Sequence, residues 1–178
     1  MSTIVERSAS RTVIAHGDAL DGWLAERRRL GQDGRDEVWD GVYHVVPHAH
    51  SSHGRLAYRL GIALAGRAAD RELFPMGEFN LGTGDRDYRV PDMGWTSTPL
   101  EEATLYVPSV EVVVEFESPG DETWAKVPFY FERGVDEVWV ITPQTRTVQV
   151  LTGPDRAVER SGVLGVSTDE VAAALGWR

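Results

Sequence analysis

Apolar residues recur at helical spacing in two stretches of the chain. Across most of the remainder they alternate or bunch as they do in strands. Leu20, Trp23, Leu24 and Leu30 predict a first helix, with Asp18 as its cap. Leu56, Leu60, Ala63 and Leu64 predict a second, entered at Ser51 or Ser52. Ala57, Gly61 and Ala65 are small enough to let it lie close to a sheet. Between the two, Glu37 to Val46 reads as a hairpin turning at Asp40-Gly41 and stopped by Pro47. Residues 72–81 read as one strand with an irregularity at Pro75. Tyr88 to Trp95 reads as another, in which Pro91 cannot donate to a ladder and so marks an edge or a bulge.

The densest apolar block is Val112-Val113-Val114 with Phe116, a β-branched and aromatic run that predicts a buried strand. Alternation puts Val112, Val114 and Phe116 on one face and Glu111, Val113, Glu115 and Glu117 on the other. Ser118-Pro119-Gly120 ends the strand. A helix follows from near Asp121 or Thr123, or starts late near Lys126 because Pro128 is awkward in a helix interior. Gly134 closes it. Residues 137–142 and 147–151 form a hairpin, residues 163–166 are strand-like, and residues 169–175 make a short helix. Residues 1–17 show no period and are expected to be a loosely held arm. No repeat, linker or low-complexity segment interrupts the pattern, so residues 1–178 are expected to form a single domain.

A chain of 178 residues is long enough to bury a core, and 42% hydrophobic with 26% charged residues describes a globular protein. The absence of cysteine excludes disulfides and thiolate metal sites, and agrees with a reducing compartment. No apolar run is long enough to span a bilayer, and the first residues lack the apolar core of a secretory signal. A cytoplasmic protein with no membrane partner is therefore expected. The net charge of −10 excludes a surface that grips nucleic acid all over, though not a local basic rim. Arg27-Arg28-Arg29 is either such a contact or, more ordinarily, a solvated helix face.

Glu115 is the position that asks for chemistry. A carboxylate on a largely apolar strand is costly unless paired or bound to a cation. Glu117, two residues on, aims at the same spot, which a metal ion, a proton or an arginine would satisfy. Asp92 follows Pro91, and bulges often sit beside active sites, although Pro-Asp is also plain turn chemistry. Lys126 and Tyr130, four apart, share a helix face. His48, His50 and His53 are close enough to suggest zinc. No cysteine or carboxylate lies among them to complete a site, and a helix entry with His53 alone facing a cleft is the simpler reading. Asp92, Glu115 and Lys126 on neighbouring elements are what metal-assisted phosphodiester cleavage needs. Hard oxygens hold Mg2+, the ion polarises phosphate and acidifies a water, and an ammonium offsets charge at phosphorus.

Taken in order, Glu37 to Gly41, Pro47 to His53, Val90-Pro91-Asp92, Val112 to Pro119, Glu122 to Lys126 with Tyr130, and Gly134 to Pro143 resemble the Uma2 family. This is the DUF820 group of restriction-endonuclease-like proteins, common in bacteria. The resemblance spans residues 35–152, and the ordered set carries it rather than any one motif. It implies the PD-(D/E)xK nuclease fold, an α+β (α/β) architecture. That is a restriction-endonuclease-like core with a mixed central β-sheet flanked by helices, here with an added N-terminal helix and β-hairpins. It implies Asp92 and Glu115 as ligands of Mg2+ or Mn2+. The lysine usual two residues after the glutamate is replaced by Glu117, and Lys126 matches a lysine brought by the following helix. Glu117 is then a third carboxylate of the metal site or a stand-in for the lysine.

Three functions follow from these residues. The first is a Mg2+-dependent nuclease acting on nucleic acid, DNA ahead of RNA. Asp92 and Glu115 would bind metal with a strand carbonyl such as that of Phe116. Lys126 would position water, Glu117 would tune it, and His53 and Tyr130 would line the substrate groove. The second is a binding or assembly module that keeps the fold without catalysis, favoured by the acidic balance and by Glu117. The third is another carboxylate-pair hydrolase, for example on a glycosidic bond, with only scattered tryptophans in its support. Against all three stands a structural role, with Glu115 paired to an arginine and Asp92 in a turn. A hairpin at the sheet edge over 137–151, with Trp139 exposed, would support a homodimer.

Overall fold

The computed structural model describes residues 5–7, 13–15, 21–46, 51–99 and 102–177. In chain order the first elements are β1 (Val5–Arg7), β2 (Val13–Ala15), α1 (Asp21–Arg29), β3 (Glu37–Trp39), β4 (Val42–Val45) and α2 (Ser51–Ala69). Next come β5 (Phe74–Met76), β6 (Asn80–Gly82), β7 (Tyr88–Arg89), β8 (Met93–Thr96), β9 (Tyr106–Val107) and β10 (Val112–Phe116). The chain then forms α3 (Thr123–Glu132), β11 (Glu137–Thr142), β12 (Thr147–Leu151), β13 (Ala157–Val158) and α4 (Thr168–Ala174). The proposed cap Asp18 and the histidines at 48 and 50 lie outside the described residues. β1 and β2 fall within the segment expected to be an arm.

Among the described residues the strands form two sheets. One runs β1-β2-β4-β3-β7-β6-β9, the other β13-β12-β11-β10-β8-β5. The hairpin predicted at Asp40-Gly41 is present, and both residues take positive φ, 49° and 81°, as a tight turn between twisted strands requires. Two single strands expected from the sequence are instead divided between the sheets. Residues 74–76 and 80–82 belong to different sheets, as do residues 88–89 and 93–96. Pro91 is therefore a crossing point rather than a bulge: without an N–H it cannot extend the ladder, and the chain leaves one sheet for the other there. Pro75 stays inside β5, at the outer edge of its sheet, where a missing donor removes no ladder bond.

β10 is the spine of the second sheet, and all five of its residues are buried. It pairs antiparallel with β8 and parallel with β11. Val112, Val114 and Phe116 meet Trp139 and Ile141 in a core covered by Leu60 and Leu64 of α2 and by Val171 and Leu175 at α4. Val113, with Val138 and Val140, faces the other way, against Val127 and Tyr130 of α3. α3 is the crossover that parallel β10 and β11 require. Pro128 lies inside α3, so the late start near Lys126 is not taken. The bond lost is the one to the carbonyl of Trp124, a half-exposed residue that water can reach. Gly134 ends the helix at φ +81°, with the Val135 amide donating back to the Tyr130 carbonyl at 3.1 Å.

Two other expectations are corrected. Residues 162–164 turn, with the amides of Gly162 and Val163 donating to the Glu137 carboxylate and that of Leu164 to the Ser161 hydroxyl, and pairing around the turn is limited to an isolated bridge between Arg160 and Ser167. Trp139 is fully buried, and its hairpin is not the sheet edge: β10 lies on one side and β13 on the other. No helix among the described residues is long and apolar enough to cross a membrane.

Candidate active site

The side of the second sheet that faces α3 carries the site. Val113 and Glu115 alternate onto that side of β10, and the ladder that pairs Val114 with Met93 continues to set Asp92 opposite Glu115. Gly94, opposite Val113, is required: a Cβ there would meet the Val112 carbonyl oxygen at 2.6 Å and the Phe79 ring at 3.1 Å. Asp92 stands just past this tight spot. Its Oδ2 accepts from the Phe116 amide at 2.8 Å, and its Oδ1 pairs with Nη2 of Arg35 at 2.8 Å. Arg35 also reaches Glu78 at 2.7 Å.

α3 brings Lys126 and Tyr130 to the same spot, one helical turn apart. Glu115 is 3% exposed, and its Oε1 accepts from the Tyr130 hydroxyl and from Nζ of Lys126, the latter at 3.1 Å. The same ammonium lies 2.9 Å from Oε1 of Glu37. Glu37 is buried on β3 of the other sheet. Its Oε1 also accepts the Val90 amide at 2.9 Å, and its Oε2 accepts Nε1 of Trp39 at 2.7 Å. Lys126 is the chain's sole lysine among 18 basic residues. It is fixed between glutamates from two different sheets.

The electrostatics follow from burial and company. Burial pushes the Glu115 carboxyl up to about 8, with Asp92 and Glu37 adding to the rise while Lys126 and Tyr130 oppose it. Burial works against the Lys126 charge, yet Glu115 and Glu37 outweigh it and hold the ammonium above its ordinary value. Burial and the same carboxylates push the Tyr130 hydroxyl well up, so it remains a donor. Even with Glu115 holding its proton, the carboxyl groups of Glu37, Glu78 and Asp92 outnumber the cations Lys126 and Arg35, and the local excess is negative.

That excess, and donors that are all hard oxygens, fit a divalent ion such as Mg2+ or Mn2+. Among the described residues no three histidine, aspartate or glutamate side chains are grouped as a ready metal shell. Mg2+ does not need one, since it usually keeps several waters and takes one or two protein carboxylates. Asp92 and Glu115 are the residues that would hold it.

The structure thus brings Asp92, Glu115, Lys126 and Tyr130 together. Glu117 is engaged elsewhere: it accepts from Nε1 of Trp124 at 2.9 Å and from the Thr142 hydroxyl at 2.6 Å. His53 packs with Phe116 and lies 3.2 Å from the Ser118 hydroxyl, on the α2 face of the sheet, away from Glu115. Of the arginine run, Arg27 is tied to Asp36 at 2.8 Å, while Arg28 and Arg29 are the solvated face. Sequence reasoning missed Glu37 and Arg35. Glu37 did carry a signal, being a charge at the head of an apolar strand like Glu115.

The Uma2 family, described as "Putative restriction endonuclease", matches residues 24–177. A solved structure described as "a putative nuclease belonging to DUF820 from Anabaena variabilis ATCC 29413" superposes with a TM-score of 0.62 at 18% identity. The likeness covers 79% of this chain and 90% of that one, and it speaks for the fold. No curated protein matches. The α+β architecture, with a mixed sheet between α3 on one face and α2 and α4 on the other, is the nuclease-like fold expected. With a family match over most of its length, the chain belongs to the Uma2 family.

Proposed function

We propose that the protein hydrolyses phosphodiester bonds of nucleic acid at this site as a metal-dependent nuclease, with DNA ahead of RNA as substrate. One observation carries the reading: the only lysine of the chain is clamped by Glu37 and Glu115 beside Asp92, inside the protein. A bound Mg2+ or Mn2+ would polarise the phosphate and acidify a water. The chain's own residues supply the frame. Glu37 and Glu115 fix the ammonium, which offsets negative charge developing at phosphorus. Tyr130 orients the Glu115 carboxyl, and Arg35 holds Asp92 at the mouth of the site, with Glu78 on its solvent side. The descriptions of the family and of the Anabaena protein point the same way.

The test is cleavage of plasmid DNA and of RNA in Mg2+ and in Mn2+, with Asp92→Asn alongside. The wild type is expected to cut, and the variant to lose at least about 100-fold. A pure wild type that cuts neither substrate, or a variant that cuts equally well, overturns the proposal. One observation favours a second reading. Lys126 already serves as internal counter-ion to two carboxylates, as in a binding module that keeps the fold without catalysis. That reading predicts no heat when Mn2+ is titrated into the folded protein.

A further inference from the structure

We infer that Arg35 serves two anions in turn: it holds the Asp92 carboxylate while no cation is bound there, and it turns to a phosphate of the substrate once one is. The inference rests on the nuclease reading and assigns that site a phosphate-binding residue. Arg35 precedes Asp36, whose carboxylate accepts from Nε of Arg27 at 2.9 Å, from the Tyr43 hydroxyl at 3.0 Å and from the Val46 amide at 3.0 Å. Glu37 follows, fixed by the Val90 amide and Lys126. The backbone that carries Arg35 is therefore pinned on its far side, and what can move is the side chain.

The Arg35 guanidinium stands between a buried carboxylate and a solvent-facing one. The Asp92 side chain is 9% exposed and the Glu78 side chain 45%, with Nη2 and Nη1 of Arg35 at 2.8 and 2.7 Å from them. Nε of Arg35 is buried, and among the described residues it meets no acceptor. Arg89 carries such a nitrogen too, but its guanidinium lies 4.5 Å over the Trp39 ring and 4.0 Å over the Phe129 ring, and it is held there. Lys126 is held as well, since its leaving would strand Glu37 and Glu115, both buried. Arg35 is the cation of the site that can be released. With a divalent ion at Asp92 the guanidinium is no longer needed there, and two cations on one carboxylate repel. The released fork stays tethered at the mouth by Glu78, and its planar N–H groups match phosphate oxygens in pairs.

Calorimetric titration of Mn2+ into the wild type and into Arg35→Gln reads the exchange at Asp92. The variant is expected to bind Mn2+ about tenfold more tightly, because the competing cation is gone. Equal or weaker binding means that Arg35 only props Asp92, and overturns the inference. Arg28→Gln, which removes an arginine of the solvated helix face, should leave Mn2+ affinity unchanged; a like gain there points to bulk charge and overturns it too. Inorganic phosphate, followed by phosphorus NMR in saturating Mg2+, is expected to bind the wild type about tenfold or more tightly than Arg35→Gln. Equal affinity, or no binding to the wild type, overturns the inference. The wild type alone repeats the test free of any effect on folding. Its Arg35 Nε–H resonance should move when Mg2+ is added and again when phosphate follows, and a resonance that stays put counts against the exchange. If neither protein takes up Mn2+, the nuclease reading falls and carries this inference with it; uptake by both with equal affinity sinks this inference alone.

Discussion

Two buried glutamates stand at opposite ends of the same parallel strand pair and are held in opposite ways. Glu137 opens β11 at 2% exposure. It accepts the amides of Gly162 at 2.7 Å and Val163 at 3.1 Å, and Nε1 of Trp139 at 3.0 Å. All three donors are neutral and fixed, and the carboxylate is a clasp for the turn that follows β13. Glu115, at the far end of β10 and 3% exposed, meets an ammonium and a phenol beside two more carboxylates. The two are equally buried, and what differs is the company: neutral fixed donors around Glu137, charged groups around Glu115. Glu115 sits at the carboxyl end of parallel strands, where open sheets of this kind bind ligands.

Replacing Lys126 breaks the contrast most severely. Lys126→Met leaves two buried carboxylates without their cation, and cleavage is expected to fall to background. Folding is expected to lose roughly 3–5 kcal/mol, read from urea unfolding. Lys126→Arg keeps the charge, but a planar guanidinium does not fit where a point ammonium sits, and activity is not expected to return. At the other end, Glu137→Ala leaves its donors without an acceptor. A loss of about 1–3 kcal/mol is expected, moderated because the Gly162 and Val163 amides are only part-buried. Cleavage per folded molecule and the heat of Mn2+ binding should not change.

The pH dependence sharpens the comparison further. The Glu115 carboxyl is held at about 8 in the folded protein against an ordinary 4.5, so the fold keeps a proton that the unfolded chain releases. Stability from this group is full below about pH 4.5 and is lost as the pH rises toward 8, at no more than about 1.4 kcal/mol per pH unit. Denaturation midpoints across that window should fall in the wild type and lose this slope in Glu115→Gln. Added Mn2+ should flatten it too, because the ion competes with the proton. The smallest effect is expected from Glu117→Gln, which keeps a Trp124 and Thr142 partner. Stability should change by less than about 1 kcal/mol, and cleavage not at all. A large loss of cleavage would return Glu117 to the site.

What the sequence made legible was local. Strand alternation found Glu115 and helix spacing found Lys126 with Tyr130, because both rules reach only a few residues. Pro91 flagged Asp92, though for a sheet crossing read as a bulge. Arg35 was invisible, since it meets Asp92 across 57 positions and its own surroundings are a loop. His53 was misplaced because helical spacing cannot say which face of a sheet a helix will cover. Trp139 was read as exposed because an apolar hairpin looks the same in sequence whether it lies at the edge or inside. Glu37 and the uniqueness of Lys126 were legible signals left unused.

Glu37 also ties integrity of the two layers to readiness of the site. Its one carboxylate grips the Val90 amide, where the chain passes between sheets, and the ammonium carried by α3. Any parting of the layers frees that amide proton to solvent and unmoors the amine in the same event. Hydrogen exchange at Val90 is thus a native gauge of how often the two layers come apart.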